Sequence, residues 1–440
     1  MKIIENFAAA KKVLSRQTPT ISIPVSARLR ESLQNMFGTD DPEQAVRIII
    51  GEVRDKGDKA LIELTQRIDG IRLISLEIGK KEIADAYRQI DRELVTSLQQ
   101  AATRIEAFHI KQRDNLWHEI REKEAGQLLR PLQRVGVYVP GGTAAYPSTV
   151  LMTAIPAKAA GVSEVILTTP PTKNGRIPPV TLVAADIAGV DRVFSVGGAQ
   201  AIAALAYGTE SIPVVDKVCG PGNIFVMLAK KQVFGSVDID GLQGPSEVML
   251  VADETANAEF CAADILAQAE HDVLASAVLV TTSRKLAEAV EEAIENQLQE
   301  LSRINILTPV IENAVIAVVE NMAEAIELVN LYAPEHLCLM LEKAGDYISE
   351  IKNAGCIIAG RDATVVLGDY VAGPSHALPT GGTARFSSPL NVADFIKFTS
   401  VVHADEAMVR RLGPLAAIIA RAEGLDAHAR AIERRLKKDG

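Results

Sequence analysis

From Pro131 to Gly360, short runs rich in valine and isoleucine alternate with stretches of helical periodicity, and no other feature of the chain constrains its fold so tightly. The runs are Arg134–Val139, Glu164–Thr168, Arg192–Val196, Glu247–Val251, Ala277–Thr281, Val315–Val319 and Gly355–Ile358. Each is close to continuously apolar, whereas a sheet with one wet face would alternate apolar and polar residues. Runs of this kind are parallel strands covered by helices on both faces. The pattern predicts an α/β fold with two Rossmann-like doubly wound domains, read as a duplication, divided near Gly244-Pro245-Ser246. Residues 1–130 read as a helix-rich N-terminal part expected to pack with the 246–390 domain, residues 131–245 as the cofactor-side domain, residues 246–390 as the substrate side, and residues 391–440 as a helical C-terminal segment.

Size and charge narrow the function. A chain of 440 residues is too long for one ordinary core. Its net charge of −10 leaves no basic surplus with which to bind nucleic acid. No apolar run approaches the ~18–20 residues that cross a bilayer, and Glu5 interrupts the only apolar stretch near the start, so a cytoplasmic protein is expected. Cys219, Cys261, Cys338 and Cys356 are widely spaced and read as reduced thiols.

Three glycine loops come after predicted strands in the first half: Pro140-Gly141-Gly142, Gly197-Gly198-Ala199-Gln200 and Cys219-Gly220-Pro221-Gly222-Asn223. Each falls at the carboxyl edge of a parallel sheet, where such folds bind ligands. Glycine lets a phosphate approach the backbone, and the next helix offers free N–H groups to it. Tight turns without a ligand would look the same. Neither the G-x-G-x-x-G fingerprint nor the G-x-x-x-x-G-K-S/T loop is present, so the motifs alone do not establish a nucleotide.

Candidate chemistry lies in four short segments. Gln268 and His271 are one turn apart at the end of a helix expected over residues 256–271, where the carbonyl end of the dipole favours a cation. An exposed polar pair would have the same spacing. Glu335 and His336 sit between a helix and a strand, and adjacent side chains there point apart, giving two separate groups suited to proton transfer. Asp369 and His428 are distant in sequence, and spacing alone does not bring them in. His109, His118 and His403 read as surface or packing residues.

Longer motifs carry a resemblance. They are Arg134-Val135-Gly136-Val137-Tyr138-Val139-Pro140-Gly141-Gly142, Val196-Gly197-Gly198-Ala199-Gln200-Ala201-Ile202, Gly220-Pro221-Gly222-Asn223 and Gly244-Pro245-Ser246-Glu247-Val248. The Gln268–His271 run, Pro334-Glu335-His336-Leu337, Gly368-Asp369-Tyr370 and Ser375-His376-Ala377-Leu378-Pro379-Thr380 complete the set. From about Ile49 to the C-terminal region the chain resembles the histidinol dehydrogenase family. The resemblance implies a zinc-dependent, NAD-linked enzyme that oxidises L-histidinol to L-histidine in two hydride transfers through an aldehyde, the final step of histidine biosynthesis. It puts one zinc per subunit on Gln268, His271, Asp369 and His428, with the substrate's imidazole and amine completing the shell. It makes His336 the general base and Glu335 the group that activates water. Ser246, His376 and Glu423 would contact substrate; Tyr138, Gln200 and Asn223 would contact NAD. It also implies a homodimer in which His428 reaches the partner's zinc.

Two positions depart from the family pattern: Val214 stands where lysine is common, and Cys219 replaces an aliphatic or aromatic residue. Cys219 is not read as a nucleophile, because only Lys217 flanks it to lower its pKa. The alternatives are a related zinc/NAD dehydrogenase acting on another polar alcohol, such as dihydroxypropanesulfonate, a zinc hydrolase using Glu335 without NAD, and a non-catalytic binding protein.

Overall fold

The computed structural model describes residues 1–16, 26–122, 124–141 and 144–437. Gly142 of the first glycine loop and the last three residues of the sequence lie outside them. The chain divides into two compact units, one of Met1–Arg113 with Leu132–Phe395, the other of Asp114–Pro131 with Ile396–Gly440.

The first unit contains two parallel sheets. One has five strands in the spatial order Arg192–Ser195, Glu164–Thr169, Arg134–Tyr138, Lys217–Cys219, Asp238–Ile239. Numbered along the chain this is 3-2-1-4-5, so the winding reverses between Arg134–Tyr138 and Lys217–Cys219. The other runs Lys2–Ile4, Val315–Val318, Ser276–Thr281, Glu247–Ala252, His336–Met340, Cys356–Ala359. Without its N-terminal edge strand it has the same order and reverses between Glu247–Ala252 and His336–Met340. All six residues of Glu247–Ala252 are buried, as expected of a central strand covered on both faces. Pro147–Ala160 begins with a proline at its first turn, ends on the left-handed Gly161, and is buried almost all round. It therefore shows no amphipathic stripe.

The N-terminal part does not pack with the 246–390 layer alone. Lys2–Ile4 extends that layer's sheet, and Phe7–Leu14 covers it beside Val329 and Tyr332. The helices Pro42–Lys56 and Asp58–Asp69 instead turn Val46, Ile49, Val53, Leu61 and Leu64 into the core of the five-stranded sheet, around Phe194. An apolar stripe, in which each leucine or isoleucine contributes about 1.5–3 kcal/mol on burial, requires a partner surface. The sequence does not say which of two similar sheets supplies it.

The C-terminal segment, expected to be helical from residue 391, contains a strand before its helices. Ile396–Val402 pairs antiparallel with Ala125–Pro131, which also holds Ile120–Arg121. Its β-branched residues outweigh its short polar ones, and the helical pattern resumes only at Glu406–Ala422 and Asp426–Leu436. These two helices pair through Arg421, which bonds Asp426 and Glu433 at 2.7 Å each. On the first of them Leu412, Leu415, Ile418 and Ile419 remain exposed.

Candidate active site

A cleft of about 490 Å³ opens in the first unit where the two sheets present opposite ends. The five-stranded sheet contributes residues just past the ends of its strands, Pro140, Gly141, Pro221, Gly222 and Asn223. This is its topological switch point, the place where doubly wound sheets take a ligand. The six-stranded sheet contributes residues that precede or open its strands: Ser246 before Glu247–Ala252, and Glu335 and His336 at the head of His336–Met340. Gln268, His271, Asp369 and His376 complete the wall.

On the wall built by the five-stranded sheet, the turn at Gly220 needs glycine. Its φ is +113°, and a Cβ there would lie 2.0 Å from the Tyr138 carbonyl oxygen. Gly220→Ala should therefore cost about 1–3 kcal/mol for the backbone conformation alone, before the clash is counted. Denaturant unfolding beside the wild type measures this; an unchanged midpoint would mean that the turn relaxes freely. Asn223 accepts from the N–H groups of Phe225 and Val226 and so caps the helix Ile224–Val233 at the cleft. Tyr138 and Gln200 do not line the cleft. Tyr138 is buried, its hydroxyl accepts the Gly198 N–H at 3.2 Å, and burial pushes its pKa up to about 12. Gln200 is also buried, and its Oε1 has no partner among the described residues. Burial pushes the Cys219 thiol well above its ordinary value, which removes it as a nucleophile.

On the wall built by the six-stranded sheet, Glu247 holds both Glu335 and His336. Its N–H donates to Glu335 Oε2 at 2.7 Å, and its carbonyl lies 3.3 Å from His336 Nδ1. A carbonyl can only accept, so Nδ1 carries the proton and Nε2 is left as the base in the neutral ring. Nε2 faces Asp369 Oδ1 at 3.0 Å. Burial opposes charge on His336, but the Glu335 carboxylate and the Asp369 contact outweigh it and raise its pKa well above the usual value. Asp369 moves oppositely: burial favours its neutral form, but His336 and the nearby His376 and His271 hold its pKa down. His376 Nδ1 lies 2.7 Å from the Asp369 carbonyl, so it too is protonated at Nδ1, and burial lowers its pKa.

Gln268 settles one ambiguity of the sequence. It is 1% exposed, so it is no surface polar group, and its Oε1 has no hydrogen-bond partner among the described residues. The helix ends at Ala269 and places His271, exposed, just beyond it. Glu423 and His428 belong to the second unit. His109 is a packing residue, fully buried and bonded to Gln112 at 3.0 Å. Sequence reasoning missed the role of Glu247 and of Arg16, which bonds the Glu247 carboxylate at 2.7 Å and stacks over Tyr332. A charged residue opening an otherwise apolar strand was the signal for the former.

The histidinol dehydrogenase family model matches residues 34–436. The chain is 56% identical over 438 residues to the histidinol dehydrogenase of Dehalococcoides mccartyi (strain CBDB1), covering 99% of this chain and 100% of that one. The chain belongs to the histidinol dehydrogenase family. Another member, from Clostridium acetobutylicum, is 49% identical over 412 residues, covering 92% of this chain and 96% of its own. The crystal structure of histidinol dehydrogenase from Elizabethkingia anophelis superposes with a TM-score of 0.90 at 35% identity, covering 99% of this chain and 98% of that one. Histidinol dehydrogenase family membership makes the chain an NAD-dependent oxidoreductase.

The residues of the cleft fit the groups that the resemblance implies. A buried amide oxygen without a donor, in the same wall as an imidazole and a carboxylate, is suited to a cation. Among the described residues no three His, Cys, Asp or Glu side chains form a metal group; of the residues that the resemblance implies, Gln268 carries an amide and His428 lies in the second unit. On the other side, a Cβ at Gly222 would meet Val226 at 2.4 Å, leaving a bare backbone turn in front of a helix start.

Proposed function

We propose that the chain oxidises L-histidinol to L-histidine through the aldehyde, as the last step of histidine biosynthesis in the cytoplasm. The observation that carries this reading is His336 held through Nδ1 on the Glu247 carbonyl, so that Nε2 and the anchored Glu335 face the wall of Gln268, His271 and Asp369. When bound, NAD would accept hydride, and zinc would supply a positive charge that orients the polar atoms of the substrate. Gln268, His271, Asp369 and His428 would hold the zinc; Tyr138, Gln200 and Asn223 would serve the cofactor. His336 Nε2 takes the alcohol proton as the carbon loses hydride. Glu335 takes a proton from the water that adds to the aldehyde, and His336 serves again in the second oxidation. Ser246, His376 and Glu423 would position the amino alcohol.

The same proposal includes a homodimer. Leu412, Leu415, Ile418 and Ile419 form an uncovered apolar face on the helix that leads to Glu423 and His428. Exposed apolar side chains grouped on one helix mark a surface suited to a partner. In this reading the partner subunit's His428 completes each zinc site.

Enzyme dialysed against a chelator should lose histidinol oxidation, keep its circular dichroism, and regain activity with added zinc. The first unit has its own two-sheet core, so the fold does not depend on the metal. Full activity in a verified metal-free sample would remove zinc from the reading. Faster NADH production from dihydroxypropanesulfonate than from histidinol would move the substrate assignment.

A further inference from the structure

We propose that Lys230 is a positioning residue of this site, a single ammonium that fixes the cofactor-side loop Gly220–Asn223 and the substrate-side segment Gln243–Ser246 in one register. The inference rests on the oxidoreductase reading and adds a residue that neither the motifs nor the resemblance singled out. Lys230 is 1% exposed, in the helix that Asn223 caps. Its Nζ donates to the Gly220 carbonyl at 3.1 Å, to Gln243 Oε1 at 2.8 Å and to the Asp240 carboxylate. An ammonium has three N–H groups, and here all three are used. Asp240, equally buried, accepts the Gly220 N–H at 2.8 Å, so the left-handed glycine is held from both its amide and its carbonyl.

What distinguishes this cluster from an ordinary buried ion pair is where its acceptors lie. Asp240 and Gln243 belong to the connection that leaves the last strand of the five-stranded sheet, Asp238–Ile239, and enters the first long strand of the other, Glu247–Ala252. Gly222, Asn223, Gln243 and Ser246 all line the cleft. The next residue, Glu247, holds Glu335 and His336 through its backbone. A buried ion pair is weak evidence for stability, and an apolar pair of the same volume does as well or better. Bonds that radiate to both walls of one cleft serve geometry instead.

The test compares Asp240→Asn with the Lys230→Met/Asp240→Asn double variant. The double variant removes the ammonium without stranding a buried carboxylate, which the single Lys230→Met change would do. Relative to Asp240→Asn, the double variant should raise the KM for NAD and the KM for histidinol together, each about tenfold or more, as expected for the loss of hydrogen bonds to a charged donor. Backbone amide exchange should quicken in both Gly220–Asn223 and Gln243–Ser246. A double variant with the exchange pattern and both KM values of Asp240→Asn, whatever its melting temperature, would make Lys230 a packing residue and overturn the proposal. If wild-type enzyme failed to oxidise histidinol, the functional reading would fall, and the exchange measurement would still decide whether Lys230 ties the two segments.

Discussion

His336→Asn should slow both oxidations by about 10²–10⁴-fold, the scale of a lost general base. Glu335→Gln should slow chiefly the oxidation of the aldehyde. The separation arises from how the two are held. His336 offers Nε2 because its Nδ1–H donates to the Glu247 carbonyl, and a base is needed whenever hydride leaves an alcohol carbon. Asparagine at this position keeps a polar group but has no basic nitrogen. Glu335 is anchored by the Glu247 N–H, and its acceptor capacity matters only when water must be activated. Glutamine preserves that anchor and abolishes the base. Single-turnover assays started from histidinol and from histidinaldehyde separate the steps. Equal turnover of the aldehyde by wild type and Glu335→Gln would end the assignment of Glu335.

Mixing two inactive proteins should restore activity. In the proposed homodimer, His336→Asn damages the site of its own chain, whereas His428→Asn damages the site of its neighbour. A heterodimer of the two then carries both lesions in one site and neither in the other. With complete random exchange, half the dimers are mixed and about a quarter of all sites are intact, which sets the expected recovery near a quarter of wild-type activity. Subunit exchange is verified by mass-tagged chains on a native gel. No recovery despite exchange would mean that each chain builds its own site.

The parallel α/β class was legible because buried strands such as Glu247–Ala252 carry near-continuous apolar runs. Two similar doubly wound layers were also expected, but the order of strands within each was not, because strand order is a property of crossovers and leaves little trace in residue type. The strand Ile396–Val402 was hidden for another reason: most of its side chains are exposed, so it lacks the apolar continuity of the others. Within the site, Glu335 and His336 stood out as a pair of proton-transfer groups at a strand end. Gln268 spacing fitted a surface pair equally well, and only its burial excludes that reading. Arg16, Glu247 and Lys230 act through bonds to residues far along the chain, and no local pattern reports such bonds.

The opposed sheet ends have a consequence for altering this enzyme in the laboratory. His336 opens a central strand whose neighbours on both sides, at Val248 and Cys356, are in register with it. A group held by ladders on two sides cannot shift to accommodate a larger or smaller substrate without breaking several backbone bonds at once. The opposite wall is built from turns at the ends of strands, and turns can be lengthened or exchanged while the sheet beneath them stays as it is. Libraries that reshape the cleft should therefore vary turn residues such as Pro140, Tyr146 and Pro221, on the wall of the cleft away from the ladders. Libraries that vary the strand heads should return mostly inactive protein.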